Sequence, residues 1–329
     1  MSDTSTSTAT YTCPWCRTQT VGTDLSCPTC GAPVDVQMRT TASGWIEIPP
    51  IADMARIQLG QSSGQIAGRF VPTAEITVAA GDSLYFPHPS LLWAEPAVDI
   101  SAMSLRKAWT RHRAGLPLVM LEARGPGRIA FSHDTAGELL AVPLQAGAAV
   151  DVRENQMVVA TGGVAYDWID SGIWFQTRGG APQDEAAGAK ILRMGLDIGG
   201  IGGDRREERR DEIEWHFPVG QYIDRFTAGE RPGAVLVQVG GNALLRDLGE
   251  GETILVKPPS LLFKDPSVGM QLHVEFPHAG MKFWRTWGNR YLWLRLSGPG
   301  RVALQSCYER LEDPGTDFQD SCGYSQHLW

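Results

Sequence analysis

The stretch GDSLYFPHPSLLWAEPAVDIS, Gly81–Ser101, decides the reading of this chain, because it returns as GETILVKPPSLLFKDPSVGMQ at Gly251–Gln271. Pro89-Ser90-Leu91-Leu92-Trp93 in the first copy stands where Pro259-Ser260-Leu261-Leu262-Phe263 stands in the second. A further pair follows in the same order: LVMLEARGPGRIAFS (Leu118–Ser132) and LWLRLSGPGRVALQS (Leu292–Ser306), sharing the turn Gly125-Pro126-Gly127-Arg128 and Gly298-Pro299-Gly300-Arg301. Two anchors in one order at nearly one spacing mark a duplicated structural unit. What repeats is strands and turns. Ser132-His133-Asp134, which has the residue types of a hydrolytic triad, gives way to Cys307-Tyr308-Glu309 in the second copy, so the duplication does not retain that chemistry. A polar hairpin turn explains His133-Asp134 better, and an enzyme is not expected.

Outward from the repeats, the chain reads as short strands rich in Val, Ile and Leu between Gly, Pro and Asp. LVMLEA, RIAFS, ELLAVPL and VDVRE crowd into 118–154, and VLVQV, ALLRDL, TILVKP and MQLHVEF into 235–276. Leu272-His273-Val274-Glu275-Phe276 and Leu292-Trp293-Leu294-Arg295-Leu296 alternate strictly, the mark of strands with one buried face. The 37 glycines and 21 prolines supply the turns such a fold needs. The expected class is all-β, with duplicated, stacked antiparallel sheets. The expected division is a disordered tail over 1–12, a cysteine module over 13–36, a linker over 37–50, a first β repeat over 51–178, a charged and Gly-rich insertion over 179–216, a second β repeat over 217–312 and a tail over 313–329. Within the insertion, helices are expected over 184–194 and 205–215, and Gly199–Gly203, with no Lys-Ser/Thr after it, reads as a hinge rather than a phosphate loop.

Cys13-Pro14-Trp15-Cys16 and Cys27-Pro28-Thr29-Cys30-Gly31 form two CxxC knuckles. Such a pair presents four thiolates to one Zn2+ tetrahedrally, and a module this small needs such a staple to fold. Cys13, Cys16, Cys27 and Cys30 are therefore expected to hold one structural zinc ion. With all four positions taken by protein, that metal is not expected to be catalytic. As a module on a linker, the zinc ribbon should unfold on metal loss and leave the body's melting nearly unchanged. Of the two remaining cysteines, Cys307 is expected to be a small buried apolar residue and Cys322 a tail thiol. Metal binding by His216, His273 and His278 is not expected.

The formal net charge of −8 speaks against non-specific nucleic-acid binding. No run of eighteen apolar residues is present to span a membrane as a helix, and the first residues lack a secretory pattern, so a cytoplasmic protein is expected. Against the acidic background two stretches are basic and aromatic: Arg106, Lys107, Trp109, Arg111 and Arg113 in the first copy, and Lys282, Trp284, Arg285 and Trp287 in the second. Solvated hairpin arms are the plain reading; a membrane surface, an anionic partner or a subunit interface is the functional one.

The two copies, the GPGR turns, the run Gly147–Trp168 (GAAVDVRENQMVVATGGVAYDW) and the phrase Gln221–Ala228 (QYIDRFTA) together resemble the altered-inheritance-of-mitochondria protein 24 family, over roughly Ile51–Leu311. The resemblance implies a β body akin to the tryptophan-RNA-binding attenuator fold, self-association into a homo-oligomer, and no established catalytic residues. By analogy with mitochondrial members, it also points to the inner face of a membrane. The function expected is a β scaffold or adaptor whose body and zinc ribbon dock protein partners. An RNA- or small-ligand-binding module is the alternative.

Overall fold

The computed structural model describes residues 10–13, 15–21, 27–32, 41, 43–68, 71–103, 120–178, 213–275, 291–309 and 318–321. In the cysteine module β1 (Thr10–Thr12) pairs with β2 (Gln19–Val21). β3 (Ile46–Ile48) falls inside the expected linker, and β4 (Arg56–Leu59) and β5 (Ser62–Ala67) form a hairpin with alternating burial.

Eighteen strands then fall into three units of six. The first holds β6 (Thr73–Val78), β7 (Ser83–Pro87), β8 (Leu91–Ala94), β9 (Asp99–Ala102), β10 (Met120–Arg124) and β11 (Gly127–Phe131). The middle unit holds β12 (Glu138–Leu144), β13 (Ala149–Arg153), β14 (Met157–Thr161) and β15 (Val164–Asp170). It is interrupted by β16 (Phe175–Arg178) and β17 (Ile213–His216), and finishes with β18 (Tyr222–Ala228) and β19 (Gly233–Val239). The last holds β20 (Ala243–Leu248), β21 (Thr253–Val256), β22 (Leu261–Lys264), β23 (Gly269–Glu275), β24 (Tyr291–Ser297) and β25 (Gly300–Gln305). β26 (Phe318–Ser321) joins β16 and β17 in a small separate sheet.

In every unit the first, sixth and third strands pair in that order (β6-β11-β8, β12-β19-β14, β20-β25-β22), and so do the second, fifth and fourth (β7-β10-β9, β13-β18-β15, β21-β24-β23). The two copies read at 81–132 and 251–306 are thus both present, but the expected repeat bounds of 51–178 and 217–312 give way, because a third unit with the same pairing, over 138–239, lies between them. Each unit turns from its first strand to its second at a left-handed glycine: Gly81 (φ 80°), Gly147 (φ 75°) and Gly251 (φ 74°).

The outer copies also share their turn chemistry. Ser90 and Ser260 close matching 3-10 turns by donating Oγ to the Pro87 and Lys257 carbonyls at 2.8 and 2.7 Å. The Arg of each GPGR turn grips the acid at the end of the third strand: Arg128 Nε lies 2.8 Å from Glu95 Oε1, and Arg301 Nη2 3.0 Å from Asp265 Oδ1. Both Gly-Pro bonds are cis. A Cβ on Gly127 or Gly300 would meet the γ-methyl of Val98 or Val268 at 2.5 or 2.8 Å, so both turns need glycine for the same contact. The middle unit lacks the PSLL and GPGR phrases and turns instead through Glu154-Asn155-Gln156, with Asn155 left-handed (φ 64°).

The units are joined by strand pairing. β14 of the middle unit lies against β7 of the first, with Tyr85 opposite Ala160 and Leu84 opposite Thr161. β22 of the last unit lies against β13 of the middle one, with Asp151 opposite Lys264 and Val152 opposite Phe263. β3 extends this second sheet beyond β20. The larger apolar core runs through the first two units and takes in Leu262, Phe263 and Ala303 of the last, while a smaller core fills the last unit. Fully buried Phe86 and Phe131 meet at 4.8 Å between ring centroids, and each such side chain contributes about 1.5–3 kcal/mol.

Several expectations change. Thr10–Thr12, the end of the stretch expected as a disordered tail, is strand because it pairs with Gln19–Val21, and the expected linker contains β3. Ile213–His216, the end of the stretch read as a charged helix over 205–215, is strand: Ile213-Glu214-Trp215-His216 alternates apolar and polar, and that period suits pairing with β16. The remainder of that stretch, the helix expected over 184–194 and the hinge Gly199–Gly203 lie outside the described residues. Cys307 is exposed, not buried, because it sits in the turn after β25, where its N–H bonds the Gly240 carbonyl at 2.9 Å.

Candidate metal centre and junction cavity

The two CxxC knuckles fold alike. The Arg17 N–H closes on the Cys13 carbonyl at 2.8 Å, and the Gly31 N–H on the Cys27 carbonyl at 2.8 Å. Arg17 and Gly31 are both left-handed (φ 59° and 72°), which turns each loop back over its sulfurs. All four thiols are buried and lie within 4.8 Å of one another. Cys13 Sγ stands 3.7 Å from Cys30 Sγ, and Cys16 Sγ 3.6 Å from Cys27 Sγ. Four sulfurs placed tetrahedrally at about 2.3 Å from one ion stand about 3.8 Å apart, so the residues present fit a metal ion.

The crowding splits the thiols' proton affinities. Hydrogen bonds led by the one to Cys13 hold Cys16 down to about 6 and draw Cys27 well below the usual thiol range; the contacts with Cys16 and Cys13 push Cys13 and Cys30 up. A cluster in which some thiols ionise readily is prepared for a cation.

The module is seated on the body. A Cβ at Gly31 would meet Ile51 and Ile57 at 2.8 and 2.9 Å, so the second knuckle presses on the residues around β4. Arg17 pairs with Asp247 of the last unit at 3.1 Å across an exposed surface. The ribbon therefore touches the stretch around β4, whose hairpin extends the sheet of the first unit, and the last unit itself.

A cavity of about 620 Å3 opens where the turns of the three units converge, between Ser90, Arg153, Gln238, Tyr166 and Glu309. Burial pushes the Arg153 guanidinium down, opposed by the charges of Glu309 and Glu154, and its Nη1 donates to the Pro259 carbonyl at 3.1 Å. Gln238 donates Nε2 to the Thr135 carbonyl at 2.6 Å, and its buried Oε1 has no partner among the described residues. His133 Nδ1 lies 2.7 Å from Asp134 Oδ1 and 3.1 Å from Thr135 Oγ1. It is thus held in its own turn, and among the described residues no serine hydroxyl bonds it.

Sequence reading missed the buried ion cluster at the joint between the middle and last units. Asp151, with a side chain fully removed from solvent, accepts from Arg225 Nε at 2.6 Å, Arg225 Nη2 at 2.8 Å and Lys264 Nζ at 2.9 Å. Burial would raise its carboxyl, but the bonds from Arg225 and Lys264 outweigh that and leave it below the ordinary range. One signal was available: a lone charge at the centre of the apolar run Val150-Asp151-Val152.

Of the sites expected from sequence, only the four cysteines come together among the described residues. His216 Nε2 bonds Thr177 Oγ1 at 2.8 Å and its ring stacks on Phe175, on a different sheet from His273; His278 lies outside the described residues. Arg106, Lys107, Trp109, Arg111, Arg113, Lys282, Trp284, Arg285 and Trp287 lie outside them too.

Residues 222–307 match the protein family described as mitochondrial biogenesis AIM24. The matched AIM24 segment begins at β18 and runs through β25, so it covers the end of the middle unit and all of the last, and the family resemblance read from the sequence is shown there. No curated protein matches the chain. Among solved structures, the crystal structure of protein SPYM3_0169 from Streptococcus pyogenes is similar at 14% identity, over 75% of this chain and 94% of that one, with a TM-score of 0.47. Among the described residues no helix is long and apolar enough to cross a membrane.

Proposed function

We propose that this AIM24-related chain is a non-enzymatic, self-associating β scaffold of the cytoplasm, stapled by one structural zinc ion in its ribbon. The observation that carries this reading is what the units hold in common. They repeat their strand pairings, and the outer two repeat the Ser-closed turn and the Arg–carboxylate clamp, whereas His133 and Asp134 occur once. Repetition preserves a platform, not a reaction. Zinc suits the donor set because four sulfur ligands at tetrahedral spacing favour it over harder cations, and a closed four-thiolate shell holds structure rather than substrate.

Partners dock on the body and on the ribbon. The basic-aromatic stretches bring the scaffold to an anionic surface, such as the inner leaflet of a membrane. Flotation with vesicles containing anionic lipid tests this step: the wild type rises with the vesicles, and a variant with Arg111, Arg113, Lys282 and Arg285 changed to Glu stays below. No flotation by the wild type, or equal flotation by the variant, removes the membrane role. The scaffold reading itself is tested by proximity labelling in the host cell. Recovery of one defined set of protein neighbours, lost when Cys13 and Cys30 are changed to Ser, supports it. A catalytic activity abolished by His133→Ala would overturn it.

A second reading as a small-ligand module has the junction cavity behind it, with the partly buried Arg153 and Gln238 both in its lining.

A further inference from the structure

The two internal joints obey one rule. The second strand of one unit lies antiparallel to the third strand of the next, and the residues facing each other hold equivalent positions: Tyr85 opposite Ala160 in one joint, Asp151 opposite Lys264 in the other. Three units have three such second strands and three such third strands. Two of each are used. Among the described residues β21, the second strand of the last unit, pairs only with β24, and β8, the third strand of the first unit, pairs only with β11.

The unused strands are apolar and open. β14 and β22, which occupy joints, are buried throughout. In β8, by contrast, Leu92 is 55% and Trp93 38% exposed, and in β21 Leu255 is 45% exposed. The positions equivalent to Leu92 and Trp93, Val158-Val159 and Leu262-Phe263, are almost fully covered. Edge strands are ordinarily protected by an inward charge, a proline or a bulge; β8 (Leu-Leu-Trp-Ala) and β21 (Thr-Ile-Leu-Val) contain no charge and no proline, and the bulge of β8 at Leu92 recurs in β14 and β22, where it does not prevent a joint.

We propose that β21 of one molecule pairs with β8 of a second copy, forming between chains the joint that the chain already makes twice within itself. The inference rests on the self-association proposed above and gives it an address. The register follows from the rule: Leu255 opposite Ala94, and Val256 opposite Trp93. One hydrogen bond is already prepared. At the first joint Ser90 Oγ reaches across to the Val158 carbonyl at 2.9 Å. Ser260 is the equivalent hydroxyl of the last unit, and the equivalent carbonyl is that of Leu92 in the second copy. Among the described residues each molecule leaves one strand of each kind unpaired on one edge, so the contact is head-to-tail; it closes into a ring where the rotation permits and otherwise extends as a chain.

The test is the molar mass of the full-length protein by sedimentation, with folding followed by circular dichroism. The wild type should sediment as two or more chains. Leu255→Lys and Leu92→Lys, both at exposed positions, should each retain the fold and fall to the mass of one chain. Associated variants of unchanged mass would overturn the strand joint while leaving self-association standing; a monomeric wild type at 100-fold dilution series up to saturation would overturn both. Cysteine trapping gives the register, in a background with Cys307 and Cys322 changed to Ser. A mixture of Ala94→Cys and Leu255→Cys proteins should oxidise to a two-chain species. If the double variant instead crosslinks within a single chain while the mixture does not, the arc closes on itself and the proposal fails.

Discussion

The two closed joints have the same backbone register and opposite chemistry. Between the first and middle units the facing pair is Tyr85 and Ala160, with the Tyr85 ring buried beside Tyr166 at 6.3 Å. Between the middle and last units it is Asp151 and Lys264, completed by Arg225. The facing pair of the first joint is uncharged and that of the second is part of a desolvated ion cluster, yet both bring the same strands together. Pairing is therefore set by the backbone and by the turns that aim each strand, while the facing side chains are interchangeable provided every buried charge is answered. Burying charges gains little over a well-packed apolar pair, whereas orphaning one is expensive.

That asymmetry gives the largest expected effect. Asp151→Asn leaves the Lys264 ammonium, 6% exposed, without its counter-charge, and should cost about 3–5 kcal/mol, seen as a fall in the midpoint of chemical denaturation. The triple variant Asp151→Tyr, Lys264→Ala, Arg225→Gln, which also removes the charge that would lose its carboxylate, rebuilds the second joint in the image of the first and should recover more than half of that loss. No recovery would mean that the joints are not equivalent. The same carboxyl sets an acid limb. Its folded value lies below its ordinary 3.8, so its contribution is complete above that ordinary value and is lost as pH falls from there through the lower folded value. Denaturation midpoints measured from pH 6 to pH 2 should therefore fall less steeply in Asp151→Asn than in the wild type.

The next effect compares ribbon and body. A module on a free linker would unfold on metal removal without consequence. Here Gly31 presses on Ile51 and Ile57, and β3 is stitched to β20. Chelation, or Cys13→Ser, should release the ribbon and also lower the body's melting temperature by a few degrees, as expected for about 1–2 kcal/mol of lost apolar cover. Calorimetry with and without chelator distinguishes the cases, and an unmoved body transition would restore the independent module.

How much of this was legible follows from where the physical constraint falls. The outer units announce themselves because their turns need particular residues: a serine to close the 3-10 turn, glycines where Val98 and Val268 approach, and an arginine to clamp Glu95 or Asp265. The middle unit performs the same turn with Asn155 and separates its fourth and fifth strands by β16, β17 and the residues between them, so its kinship survives in strand pairing and not in spelling. The four cysteines were legible because a metal shell fixes both residue type and spacing. The Asp151 cluster was not, because Arg225 and Lys264 are brought to it by sheet register, which a single sequence does not display.

The smallest expected effect bears most directly on the open ends. Ser90 and Ser260 make the same local bond, but Ser90 also donates across a joint to the Val158 carbonyl. A buried hydrogen bond contributes about 1 kcal/mol. In dilute protein Ser90→Ala should therefore destabilise more than Ser260→Ala, by about that amount. If the last unit completes its joint with a second copy, Ser260 acquires the missing acceptor, and the gap between the two variants should close as protein concentration rises. Denaturation of both variants across a hundredfold concentration range reads this directly. A gap that stays constant while the protein associates would place the contact between molecules somewhere other than β21 and β8.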